Sequence, residues 1–322
     1  MPNECPTLEL ASYLKLNRAS PEEWLAAARA LFAGEELQCR CSGNQSMIGA
    51  IAALEVENGS VVVLHGASGF DFSVNRNRCL KVVVPVSGAI GFSVPGGEWQ
   101  ALDGLAILPP TARARVRMSA GSQLLIVKPE PELLAGSPVN PSEEGLNELS
   151  RLLAQYLQQV RFFRDHQHAE VQTGIVLNAL VDVMSGAAPK VVPLPLVDDR
   201  RVLRVIEKID QQADWEFDLK ELALHSGVSE RNLYYLMKRQ TGMTPYRYFQ
   251  RSRLTRVRRR LVDCQCDVPH ISWYAADEGF THLGRFAALY REHFGELPRE
   301  TVQWRRKLVR SDAPAAHLRH LA

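Results

Sequence analysis

The sequence predicts an α+β chain of two domains: an N-terminal β-barrel or sandwich with flanking helices, and a C-terminal all-α domain with two helix-turn-helix units. Three observations carry this. Residues 218–300 repeat one helical pattern twice, with glycines at 227 and 279 standing 52 residues apart. Residues 37–129 consist of short β-branched or alternating segments separated by Gly, Pro, Asn and Ser. The stretch "SGAAPKVVPLPLVDD" has three prolines and no period, and reads as an extended linker near residues 186–199.

Bulk properties agree. A chain of 322 residues with 46% hydrophobic and 23% charged residues is an ordinary globular composition, long enough for two domains. The formal charge of +2 conceals an asymmetry: residues 200–310 hold 22 Lys and Arg against 14 Asp and Glu, a net +8, leaving −6 on the rest. A basic module on an acidic body fits a protein that meets nucleic acid with one end. No apolar run approaches membrane-spanning length, and "MPNECPTLEL" lacks the features of a secretion signal, so a cytoplasmic location without membrane partners is expected. The expected division is an N-terminal domain over 1–186, a linker over 187–199, a basic helical domain over 200–310 and a flexible tail over 311–322.

In chain order, Ser20-Pro21-Glu22-Glu23 supplies an N-cap, an N1 proline and acidic first-turn residues for a helix over 20–33. Trp24, Leu25, Ala28, Leu31 and Phe32 give it an apolar face. The segments "SVVVLHG", "LKVVVPVSG", "AIGFSVPGG", "GLAILPP" and "ARVRMSAGSQLLIVKP" follow as strands without intervening helices, the pattern of a barrel or sandwich. Residues from Ser142 onward are helical again, in two helices over about 143–184. In the first, Leu146, Leu149, Leu153, Tyr156, Val160 and Phe163 keep an a/d rhythm, which fits a seam to a second copy and packing within the subunit equally.

The repeat itself opens with "DLKELALHSGVSERNLYYLMKRQTGMTP". Leu219, Leu222 and Ala223 form one short helical face, Gly227 permits the tight turn, and Ser229 caps a second helix carrying Leu233, Leu236 and Met237. "ISWYAADEGFTHLGRFAALYREHFGELP" repeats the order, with Ile271 and Ala275 inward, a Gly279-Phe280 turn, and Phe286, Leu289 and Tyr290 as the next stripe. Gly242 with Pro245, and Phe294-Gly295 with Pro298, close the two units.

On these residues, residues 200–308 resemble the DNA-binding domain of AraC/XylS-type transcription regulators. The resemblance rests on Gly227-Val228-Ser229, Leu233, Gly242 and Pro245, then Gly279-Phe280, Phe286, Tyr290-Arg291, Phe294-Gly295 and Pro298. Met237 and Leu297 depart from the usual pattern at positions that pack or cap. The resemblance implies a cupin-like N-terminal barrel, duplex DNA and RNA polymerase as partners, activation controlled by a small-molecule effector, and a homodimer through the helix at residues 143–164, with Leu146 to Phe163 as its seam. The run His282 to Phe286 is similar to members that respond to small metabolites such as aromatic acids, amines or amino acids.

In such units the second helix presents its N-terminal residues to base edges. Glu230, Arg231, Asn232, Tyr234 and Tyr235 are the expected base-contacting set of the first unit, Arg231 suiting guanine and Asn232 adenine. Thr281, His282, Gly284 and Arg285 are the equivalent set of the second. Phosphate contacts are expected from Lys238, Arg239, Arg247, Arg251 and Arg291. The linking stretch also holds Arg253, Arg256, Arg258, Arg259 and Arg260; consecutive arginines fan around a helix, so part of the set must pair with acids or solvent.

An effector pocket is expected among His65, Phe70, Phe72, Arg76, Arg78, Phe92 and Trp99, with aromatic walls and an arginine to hold a carboxylate. An ordinary core with surface charge explains the same residues. The alternatives to effector control are a cupin-type metal enzyme fused to a DNA-binding domain, and regulation by a protein partner or by thiol redox. The enzyme reading needs a histidine cluster, yet residues 37–129 contain one histidine, His65, and His166 and His168 point to nearly opposite sides of a helix. No cofactor, metal or catalytic residue is expected. Cysteines at 5, 39, 41, 79, 264 and 266 lack zinc-site spacing and read as reduced thiols.

Overall fold

The computed structural model describes residues 9–32, 35–41, 46–134, 141–189, 197–211, 215–266 and 269–311. Cys5, the centre of the expected linker and the tail beyond residue 311 lie outside these residues.

The strands are β1 (Leu14–Ala19), β2 (Glu36–Cys41), β3 (Gly49–Val56), β4 (Gly59–Gly66), β5 (Phe70–Arg76), β6 (Lys81–Ser87), β7 (Ile90–Ser93), β8 (Gln100–Ala101), β9 (Ala106–Leu108), β10 (Ala114–Met118) and β11 (Gln123–Pro129). They form two antiparallel sheets, ordered β1-β3-β4-β11-β6-β9 and β2-β5-β10-β7-β8. Alternation decides what each residue does. In β4, Val62 and Leu64 enter the inter-sheet core with Phe70, Phe72 and Val116, while Val61 and Val63 face the other way. Both faces of β4 are nonetheless buried, because helices cover the outer one. That explains the unbroken valine runs.

Helix α1 (Pro21–Leu31) begins with the expected capping box: Ser20 accepts from the Glu23 amide and the Glu23 carboxylate accepts from the Ser20 amide. Its Trp24 lies 5.0 Å from Phe70 and 5.4 Å from Phe72, filling the sandwich interior. Helices α2 (Glu143–Val160) and α3 (His166–Met184) are N-capped by Ser142 and Asp165. Here one expectation is corrected. Leu149, Leu153, Tyr156, Val160 and Phe163 are buried against α3 and the outer face of the six-stranded sheet, with Leu146 at the margin. Tyr156 also bonds Thr173 Oγ1 at 2.8 Å. The predicted dimer seam is consumed within the subunit, because a sheet face of valines needs the same apolar stripe that a partner helix would.

The C-terminal region comprises α4 (Arg200–Gln211), α5 (Leu219–Ser226), α6 (Glu230–Thr241), α7 (Pro245–Asp263), α8 (Ile271–Asp277), α9 (Leu283–Phe294) and α10 (Pro298–Ser311). Two cores divide it, one around Leu222, Leu233, Met237 and Phe249, the other around Leu261, Ala275, Phe286 and Tyr290, with α7 common to both. Gly227 and Gly279 sit at φ 76° and 73°, conformations that let the chain reverse between helices. Pro298, read as the end of the second unit, starts α10 instead, as an N1 proline does.

The two regions are docked. Helix α7 packs on β1, α10 on α1, and the turn between α2 and α3 touches both helix-turn-helix units. Phe162 from that turn enters the first core, 6.3 Å from Tyr248. A Cβ on Gly242, after α6, would meet Arg164 Cδ at 2.9 Å, and one on Gly295, after α9, would meet His166 Nε2 at 2.4 Å. Arg305 grips Glu23 at 2.8 and 2.9 Å, and Asn17 donates to Asp263 at 3.0 Å.

Candidate nucleic-acid interface

Helix α6 begins at Ser229, whose hydroxyl accepts from the Asn232 amide at 3.3 Å. Leu233, Leu236 and Met237 anchor its inner face. Glu230, Arg231, Asn232, Tyr234 and Tyr235 are therefore turned outward, and all five are exposed. Tyr235 meets Tyr234 edge to face at 6.0 Å, and the Arg231 guanidinium lies 5.9 Å from the Tyr235 ring.

The second unit presents its set in the same way. Phe286 and Tyr290 hold α9 inward, leaving Thr281, His282, Gly284 and Arg285 exposed. His282 occupies the N-cap without a side-chain hydrogen bond, so the first-turn N–H groups of α9 keep no side-chain cap. Gly284 has open space around its missing Cβ.

The expected phosphate-contacting residues divide. Lys238, Arg239 and Arg291 are exposed. Arg247 is exposed but pairs with Glu292 at 2.9 Å. Arg251 is corrected: it is 6% exposed and points into the N-terminal domain. Its Nε donates to the Phe163 carbonyl at 3.0 Å, and its Nη2 to Ser12 Oγ at 2.8 Å and the Val160 carbonyl at 3.3 Å. It thus caps the carbonyl end of α2, where a helix dipole favours a cation. Burial lowers the pKa of its guanidinium.

Most other arginines of α7 are also engaged in holding the fold. Arg256 pairs with Glu278 at 2.7 Å, Arg260 with Asp277 at 2.7 Å, and buried Arg258 with Glu296 at 2.8 Å. Arg253 lies over Phe280 at 4.7 Å, packed against the Gly279 turn. Burial opposes the charge of Glu296, yet Arg258, Lys15 and Thr301 together hold its carboxyl below the usual value.

Two further outward residues were missed: His270 and Trp273, stacked at 4.7 Å, with Trp273 66% exposed at the start of α8. The signal for them was weak: Trp273 lies off the inward Ile271–Ala275 stripe.

The expected effector pocket does not assemble. Phe70 and Phe72 are core beneath Trp24, and His65 is buried on the helix-covered side of β4, opposite Gln123. Burial lowers the His65 pKa, and its Nε2 has no hydrogen-bond partner. Arg76 and Arg78 are exposed, Phe92 packs at the core edge, and Trp99 lies outside over Gly91, 4.2 Å from the Arg117 guanidinium. The polar interior lies elsewhere: buried Lys81 donates to Glu35 and Asn77, and Glu35 Oε2 is buried without a partner. Cys39 and Cys41 face the same way with sulfurs 3.9 Å apart, and burial pushes the Cys39 thiol up to about 12. Among the described residues no group of three or more His, Cys, Asp or Glu is placed to hold a metal, and no helix is long and apolar enough to cross a membrane.

Comparison with known proteins places these helices. Residues 222–304 match the family model described as a helix-turn-helix domain. The chain is similar to the XylDLEGF operon transcriptional activator of Pseudomonas putida, 39% identical over 106 residues, covering 33% of each chain. It is also similar to the HTH-type transcriptional activator RhaS of Escherichia fergusonii, 36% identical over 107 residues, 33% of this chain and 37% of the relative. A solved transcriptional regulator with an AraC-type DNA-binding domain, from Chromobacterium violaceum, is 28% identical over 33% of this chain and 91% of its own, with a TM-score of 0.30. The matches span about a third of the length of these curated relatives.

Proposed function

We propose that this chain, whose C-terminal third is an AraC/XylS-type helix-turn-helix DNA-binding domain, is a sequence-specific transcription activator controlled through its N-terminal domain. One observation carries the reading: both recognition helices expose their polar first turns while α7 holds them in one frame. Arg231 and Asn232 read bases from α6; Thr281, His282 and Arg285 do so from α9, with Gly284 allowing close approach. The uncapped first turn of α9 and the exposed Lys238, Arg239 and Arg291 take phosphates.

Control comes from a small-molecule effector in the sandwich. The unpartnered Glu35 Oε2 beside Lys81 and Asn77 offers a polar group for it, in place of the pocket expected from the sequence. The turn between α2 and α3, which touches the C-terminal ends of both recognition helices, carries the signal, and RNA polymerase reads the outcome. The test is selection of a duplex site by the full chain, followed by footprinting. Two protected major-groove segments about 34 Å apart on one face are expected. Protection of a single groove, or no sequence preference, refutes the reading.

A further inference from the structure

Strand β2 lies at the edge of the five-stranded sheet, with α1 packed against it. Alternation puts Cys39 and Cys41 on its inner side, opposite Phe72 and Phe70, while Arg40 and its register partner Asp71 take the other side. Both cysteines are free thiols, half-buried at the margin of the sandwich core, with sulfurs 3.9 Å apart.

A disulfide suits this pair poorly. Residues two apart along a strand have Cα atoms about 6.6–6.8 Å apart, the outer limit of what a disulfide spans. Burial, then Cys41, Asp71 and Glu22, also push the Cys39 thiol up to about 12, which keeps it protonated and slow toward oxidants at neutral pH. Zinc suits it no better: it asks for four ligands, and among the described residues no third His, Cys, Asp or Glu joins the two sulfurs.

A soft ion that is satisfied by two thiolates does fit. Two metal–sulfur bonds of about 2.3 Å in line span about 4.6 Å, so each sulfur need move outward by only about 0.3 Å. Charge narrows the choice. The groups acting on Cys39 are acidic, so a divalent ion on two thiolates, neutral overall, is favoured over a monovalent ion, which leaves one negative charge. We propose that Cys39 and Cys41 form a two-coordinate site for a soft, thiophilic metal ion, Hg(II) ahead of Cu(I). Two S–H bonds give way to two S–metal bonds, and both protons leave to solvent. The ion lies beneath α1, the helix whose Glu23 holds Arg305 of α10. The site does not require the effector reading.

The test is anaerobic titration of the reduced full chain with Hg(II), Cu(I) or Zn(II), then gel filtration against excess glutathione, which strips ions held by single thiols. One equivalent of Hg(II) is expected to stay, Cu(I) to be held more weakly and Zn(II) to be lost. In the wild type, bound Hg(II) also shields Cys39 and Cys41 from alkylation by N-ethylmaleimide, read by peptide mass spectrometry; this readout depends on no variant's folding. Cys39→Ser or Cys41→Ser weakens binding about a hundredfold, as loss of a chelate does. Cys264→Ser with Cys266→Ser, in the other Cys-x-Cys pair, leaves it unchanged. Loss of Hg(II) to glutathione, retention that survives Cys39→Ser or Cys41→Ser, or shielding of Cys264 and Cys266 in their place overturns the proposal. So does tighter holding of Zn(II) or Cu(I) than of Hg(II). A Cys39–Cys41 disulfide formed under a hydroperoxide, with no metal retained, also overturns it and would make the pair a redox switch.

Discussion

At the scale of single residues, two side chains show how position sets a role. Arg231 stands on the exposed first turn of α6, and among the described residues it meets only a neighbouring ring. Arg231→Ala should cost about 1–3 kcal/mol on the selected site and little on random duplex, by equilibrium binding at fixed salt; equal losses on both would make it a phosphate contact. His293 is the reverse case. It is buried where α9 meets the α2–α3 turn, and burial, with Arg251, Arg258 and Arg247 nearby, drives its pKa well below 6.5 despite a hydrogen bond to the Arg164 backbone. The unfolded chain takes up this proton near pH 6.5 and the folded chain does not, so stability must fall as pH drops below that value. His65 and His168 are lowered in the same direction and add to the slope. His293→Gln should remove up to about 1.4 kcal/mol per pH unit from the decline between pH 6.5 and 5, read from urea melts. An unaltered slope would mean that the ring titrates normally in the fold.

At the scale of elements, α2 gives the clearest prediction. Leu149 and Leu153 are buried under the sheet and α3. Leu153→Ala should cost about 2–5 kcal/mol of stability, measured by denaturant unfolding, without changing mass in solution. A stable protein of altered mass would restore the dimer seam. The same helix shows where sequence reading ran out. Its period located it and its inward face, but a 3.5-residue rhythm does not say whether a helix or a sheet lies opposite. The capping residues Ser20, Ser142, Ser229 and the turn at Gly227 were legible because each acts within a few residues of chain. Strand β1, only six residues long and with a basic outward side, carried too weak an alternation to be read. That the polar faces of α6 and α9 lie exposed was legible for the same local reason as the caps. Arg251 was not, since its partners Ser12, Val160 and Phe163 are far away along the chain.

At the scale of the molecule, the docking contacts are many and partly buried. Arg251 caps α2, Arg305 holds Glu23, Asn17 meets Asp263, and Lys15 reaches Glu296 at 3.4 Å. If these hold the regions together, cutting the chain between residues 187 and 199 should leave both halves co-eluting in size-exclusion chromatography at micromolar concentration. Arg251→Ala with Arg305→Ala should release them, since each leaves a buried acceptor unpaired. Separation of the cut wild type would show that the covalent tether alone joins them.

The Glu23–Arg305 pair also bears on module exchange. Leu308 and Trp304 of α10 pack into the core of the sandwich, beside α1. The helix-turn-helix third is therefore not a free-standing cassette: transplanted alone onto a foreign N-terminal domain, it would carry an apolar helix face and an unmatched arginine into solvent. A working chimera needs its junctions drawn so that α1 and β1, from the start of the chain, travel with α10 from its end.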